Sequence, residues 1–249
     1  MIHINRLPRP SQLTDEIVRR LTKKYKDDKT PVWNKPYIKD TLLEMTHYKC
    51  CYCEAPLDER SGYMEVEHFH PKSMYPDEVV EWDNLLPVCS TCNRHKSRYD
   101  TKKSDFVNPS LVNPKDYFMT RNYRYEPKNN VGKITRDVLD LNSIDKLVIK
   151  RVKVGNELLE KMRKLSESVN DHREKQDKLI VDISELEDLL GLVQSDKNYS
   201  AIIASVLIHD ENYQDVKKTL ENGGYWNTEL ISLEAKAKDI AFDEVNVSG

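Results

Sequence analysis

The feature that most constrains this chain is a repeated cysteine spacing, Cys50-x-x-Cys53 and Cys89-x-x-Cys92, with thirty-five residues between the pairs. A tight turn brings both sulfurs of such a pair onto one tetrahedral ion, so the two pairs make a complete four-thiolate zinc site. The fifth cysteine, Cys51, is a spare whose spacing chelates poorly. None of the 157 residues after Cys92 is a cysteine, and this clustering points to metal rather than disulfides. Four thiolates leave no open position for water, so the zinc is expected to be structural, stapling a segment too short and polar to fold alone.

The rest of the composition sets the surroundings. A third of the 249 residues are charged, 38% are apolar and only seven are glycine. Such a chain suits amphipathic, solvent-exposed helices better than a sandwich or barrel, which needs many tight turns. The expected fold class is α+β, mainly α-helical. A net charge of −3 excludes a generally basic nucleic-acid binder, so any phosphate-binding surface must be local. No apolar run approaches the roughly 18–20 residues of a membrane span. The opening "MIHINRLPRPSQLTDE" has no apolar signal-peptide core. A cytoplasmic location and no membrane association are therefore expected, and there cysteines stay reduced.

Along the chain, residues 11–27 carry Leu13, Ile17 and Leu21 at a helical period behind a polar cap. A breaker region around Pro31 and Pro36 leads to a second helix, "YIKDTLLEMTH". Inside the cysteine block, "GYMEVEHF" alternates as a strand, "DNLLPVC" reads as a second strand and "TCNRHKSRYD" as a helix start. "FVNPSLVNPKDYF" reads as a linker or irregular cover, and "MTRNYRYEP" as a strand. From about 143 the pattern is helical: one long helix or two joined at Gly155, then helices near 172–191, 197–209, 211–222 and 227–242, with a break at Gly223-Gly224. This divides the chain into an N-terminal helical segment (1–46), a core (47–105) and a helical C-terminal region (106–249). No Gly-rich phosphate loop is present.

If the zinc is structural, the chemistry lies among the residues it encloses. Glu65, Glu67, His68 and His70 precede Pro71; Asn84 follows, then Asn93, Arg94, His95 and Lys96. Strand alternation places Glu65 and Glu67 on one face and His68 on the other, unless the strand ends or bends at Glu67. A carboxylate beside a histidine suits a division of labour: the oxygen donor holds a hard cation, and a neutral imidazole takes a proton from water. His68 as a zinc ligand is the poorer reading, because four cysteines already fill that ion. "NRHKSRYD" taken alone reads as a solvated helix face; its place straight after Cys92 favours a functional one. His3, His47, His172 and His209 lie outside this constellation.

Together "CCYCEAPL", "MEVEHFHPKS" and "WDNLLPVCSTCNRHKS" resemble the HNH nuclease motif, over about residues 48–100. The resemblance implies a ββα-metal finger with zinc knuckles on Cys50, Cys53, Cys89 and Cys92, embedded between helical segments. It implies that His68 is the general base, that Asn84 orients the loop or the base, and that Glu67 and Asn93 hold a catalytic Mg²⁺ or Mn²⁺. Glu67 stands where an aspartate is common and Asn93 where many members have a final histidine; both keep an oxygen ligand. Lys96, Arg94 and Arg98 would clamp neighbouring phosphates, and His70 would contact phosphate or brace the loop. "EHFHPKS", "CNRHKS" and "MIHINRLPRP" further resemble the HNH subunit of Septu-type two-gene antiphage systems, also found with some retrons. That resemblance implies a partner ATPase of the ABC/SMC-like class, which the C-terminal helices could dock, and a nucleic-acid substrate, with DNA expected ahead of RNA. The competing readings are a zinc-stabilised binding module without catalysis and an inert HNH scaffold; Glu67-His68 with Asn84 and Asn93 argues against both.

Overall fold

Thr14 caps the first helix by accepting the Ile17 N–H, and α1 runs Asp15–Asp28 until Lys29 turns left-handed. The computed structural model describes residues 1–57, 64–172 and 176–245. These fall into two units. The first holds residue 1, residues 3–117 and 127–141; the second holds residue 2, residues 118–126 and the described residues from 142 onward.

In the first unit α1 buries Val18, Leu21 and Tyr25, so the face is turned slightly from the Ile17 stripe expected. Pro36, at the first helical position where no N–H is needed, starts α2 (Pro36–Met45). The expected strands are β1 (Met64–His68) and β2 (Leu85–Cys89), and α3 (Ser90–Lys96) follows β2 without a loop. Positions 62 and 63 of the first predicted strand lie outside the described residues. The strands pair antiparallel, with Met64 opposite Cys89 and His68 opposite Leu85. This is the expected ββα finger. Short 3-10 turns at Pro76–Glu78 and Trp82–Asn84 shape the connection between its strands. The stretch 106–117 belongs to this unit, where Phe106 sits within about 6 Å of the rings of Tyr52, Phe69 and Tyr99.

A helix that the sequence reading did not anticipate, α4 (Asn130–Val138), completes the unit. Its short polar run carries Gly132 and β-branched residues, which weaken the helical signal. The Asn129 side chain caps it, and a Cβ at position 132 would meet the Tyr117 carbonyl oxygen, so only glycine fits there.

In the second unit "MTRNYRYEP" forms a hairpin rather than one strand: β3 (Phe118–Arg121) and β4 (Arg124–Pro127). Asn122 and Tyr123 both take positive φ at its turn, as a tight hairpin connection requires. After a π turn at Ile144–Val148, α5 (Ile149–His172) runs unbroken through Gly155, where the Tyr123 ring occupies the place of a Cβ. Then come α6 (Gln176–Gly191), α7 (Ser200–Ile208), α8 (Glu211–Asn222) and α9 (Thr228–Ile240). Residues 173–175 of the predicted 172–191 helix lie outside the described residues. Nearly every position of α7 is buried, as expected for a helix apolar all round. Among the described residues no helix is long and apolar enough to cross a membrane.

Candidate active site and zinc knuckle

The first knuckle is a backbone loop. The Cys50 N–H donates to the Ala55 carbonyl, the Glu54 N–H donates to the Cys50 carbonyl, and Glu54 takes a left-handed conformation. The second knuckle is the joint between β2 and α3, where Cys89 caps the helix by accepting the Cys92 N–H on its sulfur. The four sulfurs of Cys50, Cys53, Cys89 and Cys92 lie within 4.8 Å of one another, and Cys53 Sγ is 3.8 Å from Cys89 Sγ. A tetrahedral Zn–S bond of about 2.3 Å requires sulfur–sulfur separations of roughly 3.8 Å. The donor set therefore fits zinc. Cys51 is buried beside the cluster but outside it, its N–H donating to the Pro87 carbonyl.

The knuckles bring β1 and α3 together and so build the enclosed site. His68 ends β1 with only 4% of its surface exposed. Its Nε2–H donates to the Val79 carbonyl at 2.9 Å, so Nδ1 carries the lone pair. Nδ1 is buried and has no hydrogen-bond partner among the described residues. Burial, with the positive charge of Lys72 adding to it, lowers the imidazole pKa to about 3. A neutral ring with one nitrogen fixed is held in one tautomer, and its other nitrogen keeps a lone pair that can take a proton.

Asn84 explains why the ring sits where it does. Its Oδ1 accepts the His70 N–H at 2.7 Å, while its Nδ2 donates to the carbonyls of His70 and Glu78. The backbone Asn84 carbonyl accepts the Phe69 N–H. One side chain thereby ties the end of β1 to the turn whose next carbonyl, that of Val79, holds His68. Arg6 fastens the following turn, Trp82–Asn84, from the N-terminal segment, donating to the carbonyls of Trp82, Asp83 and Leu85.

Glu65 and Glu67 share the β1 face under α3, as alternation requires, but in unlike settings. Glu67 is 2% exposed, and its Oε1 accepts from the Lys96 ammonium at 2.6 Å. Burial raises its pKa to about 7 against the opposing pull of Lys96. Glu65 is exposed, and its carboxylate meets the Asn93 amide. The pairings seen are thus Glu67 with Lys96 and Glu65 with Asn93. Lys96 is fully buried and also donates to the His68 carbonyl, which places it inside the finger rather than at a phosphate-facing surface. Arg94 and Arg98 remain exposed; with Lys72, Glu65, Asn93, Ser90 and Ser97 they line an open depression of about 400 Å³. His70 is half-buried, and its Nδ1 lies 2.6 Å from Glu78 Oε2, a carboxylate that also holds Lys102.

The sequence reading passed over Arg6, Trp33, Lys72 and Val79. The Val79 contribution is a backbone carbonyl and leaves no trace in residue type. Lys72 was legible as the base after Pro71 in "HPKS", but Trp33 and Arg6 lie far away in sequence.

A ββα finger on a four-cysteine knuckle, with a buried histidine at the strand end, defines an HNH endonuclease, a phosphodiester hydrolase. Accordingly the family model "HNH endonuclease" matches residues 50–98. The Septu protein PtuB of Bacillus thuringiensis is 40% identical over 245 residues, covering 96% of this chain and 94% of that protein. The chain belongs to the PtuB family of HNH endonucleases.

Proposed function

We propose that this chain is a metal-dependent endonuclease that hydrolyses DNA as the effector of an antiphage complex, with His68 as its general base. The observation that carries the reading is the fixed tautomer of His68: Nε2–H on the Val79 carbonyl, and a lone pair on Nδ1 that no described residue engages. His68 Nδ1 accepts a proton from water. The resulting oxygen nucleophile attacks the phosphorus, and the bond to the 3′-oxygen breaks. The Val79 carbonyl keeps the ring oriented and favours the imidazolium that forms. Asn84 positions the loop and the ring, while Arg94 on α3 and Arg98 just beyond its end are exposed where neighbouring phosphates pass. His70 braces this loop through Glu78 and borders the phosphate path.

Asn93 with Glu67, and Glu65 beside them, are the residues that would hold a Mg²⁺ or Mn²⁺. They are oxygen donors of the kind a hard cation takes; Glu65 already meets Asn93 at the exposed side, and Glu67 would have to exchange its Lys96 partner for the ion. When bound, the ion supplies neutralisation of the phosphate and of the leaving oxygen. The four cysteines hold a structural zinc. The partner is an ATPase of the ABC/SMC-like class, and the helices of the second unit are its docking surface; the kinship with the Septu protein supports this.

The test offers plasmid DNA and total RNA to the purified chain, with and without its ATPase, in Mg²⁺, Mn²⁺ or EDTA. Metal-dependent DNA cleavage, abolished in His68→Ala, is expected. Equal cleavage by wild type and His68→Ala would refute the assignment of the base. Cleavage confined to RNA would replace the DNA reading by its alternative, an RNA-cutting effector of the same type.

A further inference from the structure

Trp33 lies outside the matched segment, between α1 and α2, yet its ring stands edge-on to the His68 imidazole with centroids 4.7 Å apart at 84°. Tyr25 of α1 holds the indole from another side at 5.7 Å. The Lys72 ammonium sits over the Trp33 ring, 4.7 Å from its centroid. Lys72 is half-buried, and burial draws its pKa below the usual lysine value against the pull of Glu67 and Glu65. Unlike Lys96, it has no ion pair among the described residues; what holds its charge in place is the indole face. It also lines the open depression beside Asn93 and Arg94. A partly dehydrated cation, held on a rigid ring at the edge of a site built for phosphodiesters, has its charge available to an anion.

We propose that Trp33 and Lys72 act as one unit, in which the indole is a positioning residue for Lys72 and the Lys72 ammonium binds a backbone phosphate of the nucleic-acid strand beside His68. The proposal rests on the nuclease reading and extends its site beyond residues 50–98. It also moves the phosphate contact from Lys96, which is buried against Glu67, to a lysine that reaches the open side.

The test measures binding of the zinc-loaded full chain to a fluorescein-labelled DNA oligonucleotide by anisotropy, without chelator and without added Mg²⁺ or Mn²⁺ to prevent cleavage, across a salt series. Lys72→Gln is expected to weaken binding roughly tenfold and to flatten the slope of log affinity against log salt by about one. Trp33→Ala should cost a similar factor, and the double variant should be no weaker than the weaker single variant, because both changes remove one contact. Trp33→Phe should restore most of the affinity, which a merely structural role for the indole's bulk at Lys72 would not couple to the salt slope. An unchanged slope in Lys72→Gln, or additive losses in the double variant, overturns the proposal even if Trp33→Ala fails to fold. Wild-type cleavage that His68→Ala abolishes, beside such a result, leaves the nuclease reading intact. Failure of the wild-type chain to bind overturns this proposal, and absence of DNA and RNA cleavage with the ATPase present overturns the nuclease reading as well.

Discussion

Replacing Lys96 by methionine strands Glu67. The pair is fully enclosed, with the ammonium 2.6 Å from Oε1 and both side chains at 2% exposure or less. Removing one partner of such a buried pair costs about 3–5 kcal/mol if the other keeps its charge. Glu67 has a second option, which is to take up a proton. Its folded pKa, already raised to about 7, should climb further without Lys96. The sign follows from proton counting. A folded-state pKa above the unfolded value means that the folded chain holds the extra proton, so stability is greatest at low pH and is lost as pH rises through the folded pKa. In wild type that loss stops just above pH 7; in Lys96→Met it continues to higher pH. The difference between them should therefore grow by about 1.4 kcal/mol per pH unit above 7, up to the full cost of the broken pair. Urea unfolding of the zinc-loaded chain at pH 6.0, 7.0 and 8.5, followed by tryptophan fluorescence and zinc release, measures it. A loss equal at pH 6.0 and 8.5 would refute the account, as would a pH dependence surviving in Glu67→Gln/Lys96→Met.

Other outcomes test the remaining parts. Asn84→Ala removes hydrogen bonds to His70 and Glu78 and should cost about 2–3 kcal/mol of stability, with cleavage reduced more than oligonucleotide binding. Cys53→Ser, or stripping zinc with a chelator, should unfold the first unit and abolish cleavage, read as loss of its protection in hydrogen exchange while the second unit keeps its own. Because His68 is neutral in the fold down to about pH 3, while an unfolded imidazole protonates near 6.5, its contribution to stability is present above pH 6.5 and declines as pH falls towards 3. His68→Phe should remove that part of the acid sensitivity, measured by unfolding between pH 4 and 7; an unchanged acid limb would count against a neutral buried ring.

Much of this was legible in the residues because it depends on local spacing. The two CxxC pairs announce a four-sulfur cluster, since each knuckle is a turn of a few residues. The alternation of "GYMEVEHF" over its described residues, the helix start at "TCNRHK" and the polar cap before α1 read correctly for the same reason. What failed was weakly periodic or depended on a partner. The helix over Asn130–Val138 is held by Asn129 and by packing of Gly132 on Tyr117, neither of which leaves a pattern. "MTRNYRYEP" reads as one strand because its turn is made by Asn122 and Tyr123 without a glycine.

The sequence by itself determined the kind of chemistry: thiolates at chelating intervals, a histidine beside a carboxylate, and asparagines at the right remove. The tertiary structure decided how those groups are shared out. Glu65 and Glu67 are the same residue type two positions apart, yet one faces solvent beside Asn93 and the other is sealed against Lys96. Lys96 and Lys72 are both lysines of the finger, yet one is internal and the other rests on an indole thirty-nine residues upstream, at the edge of the open site. Spacing fixes which groups can meet along a strand or a helix turn, whereas the dielectric around each charge is set by whatever distant segment packs over it.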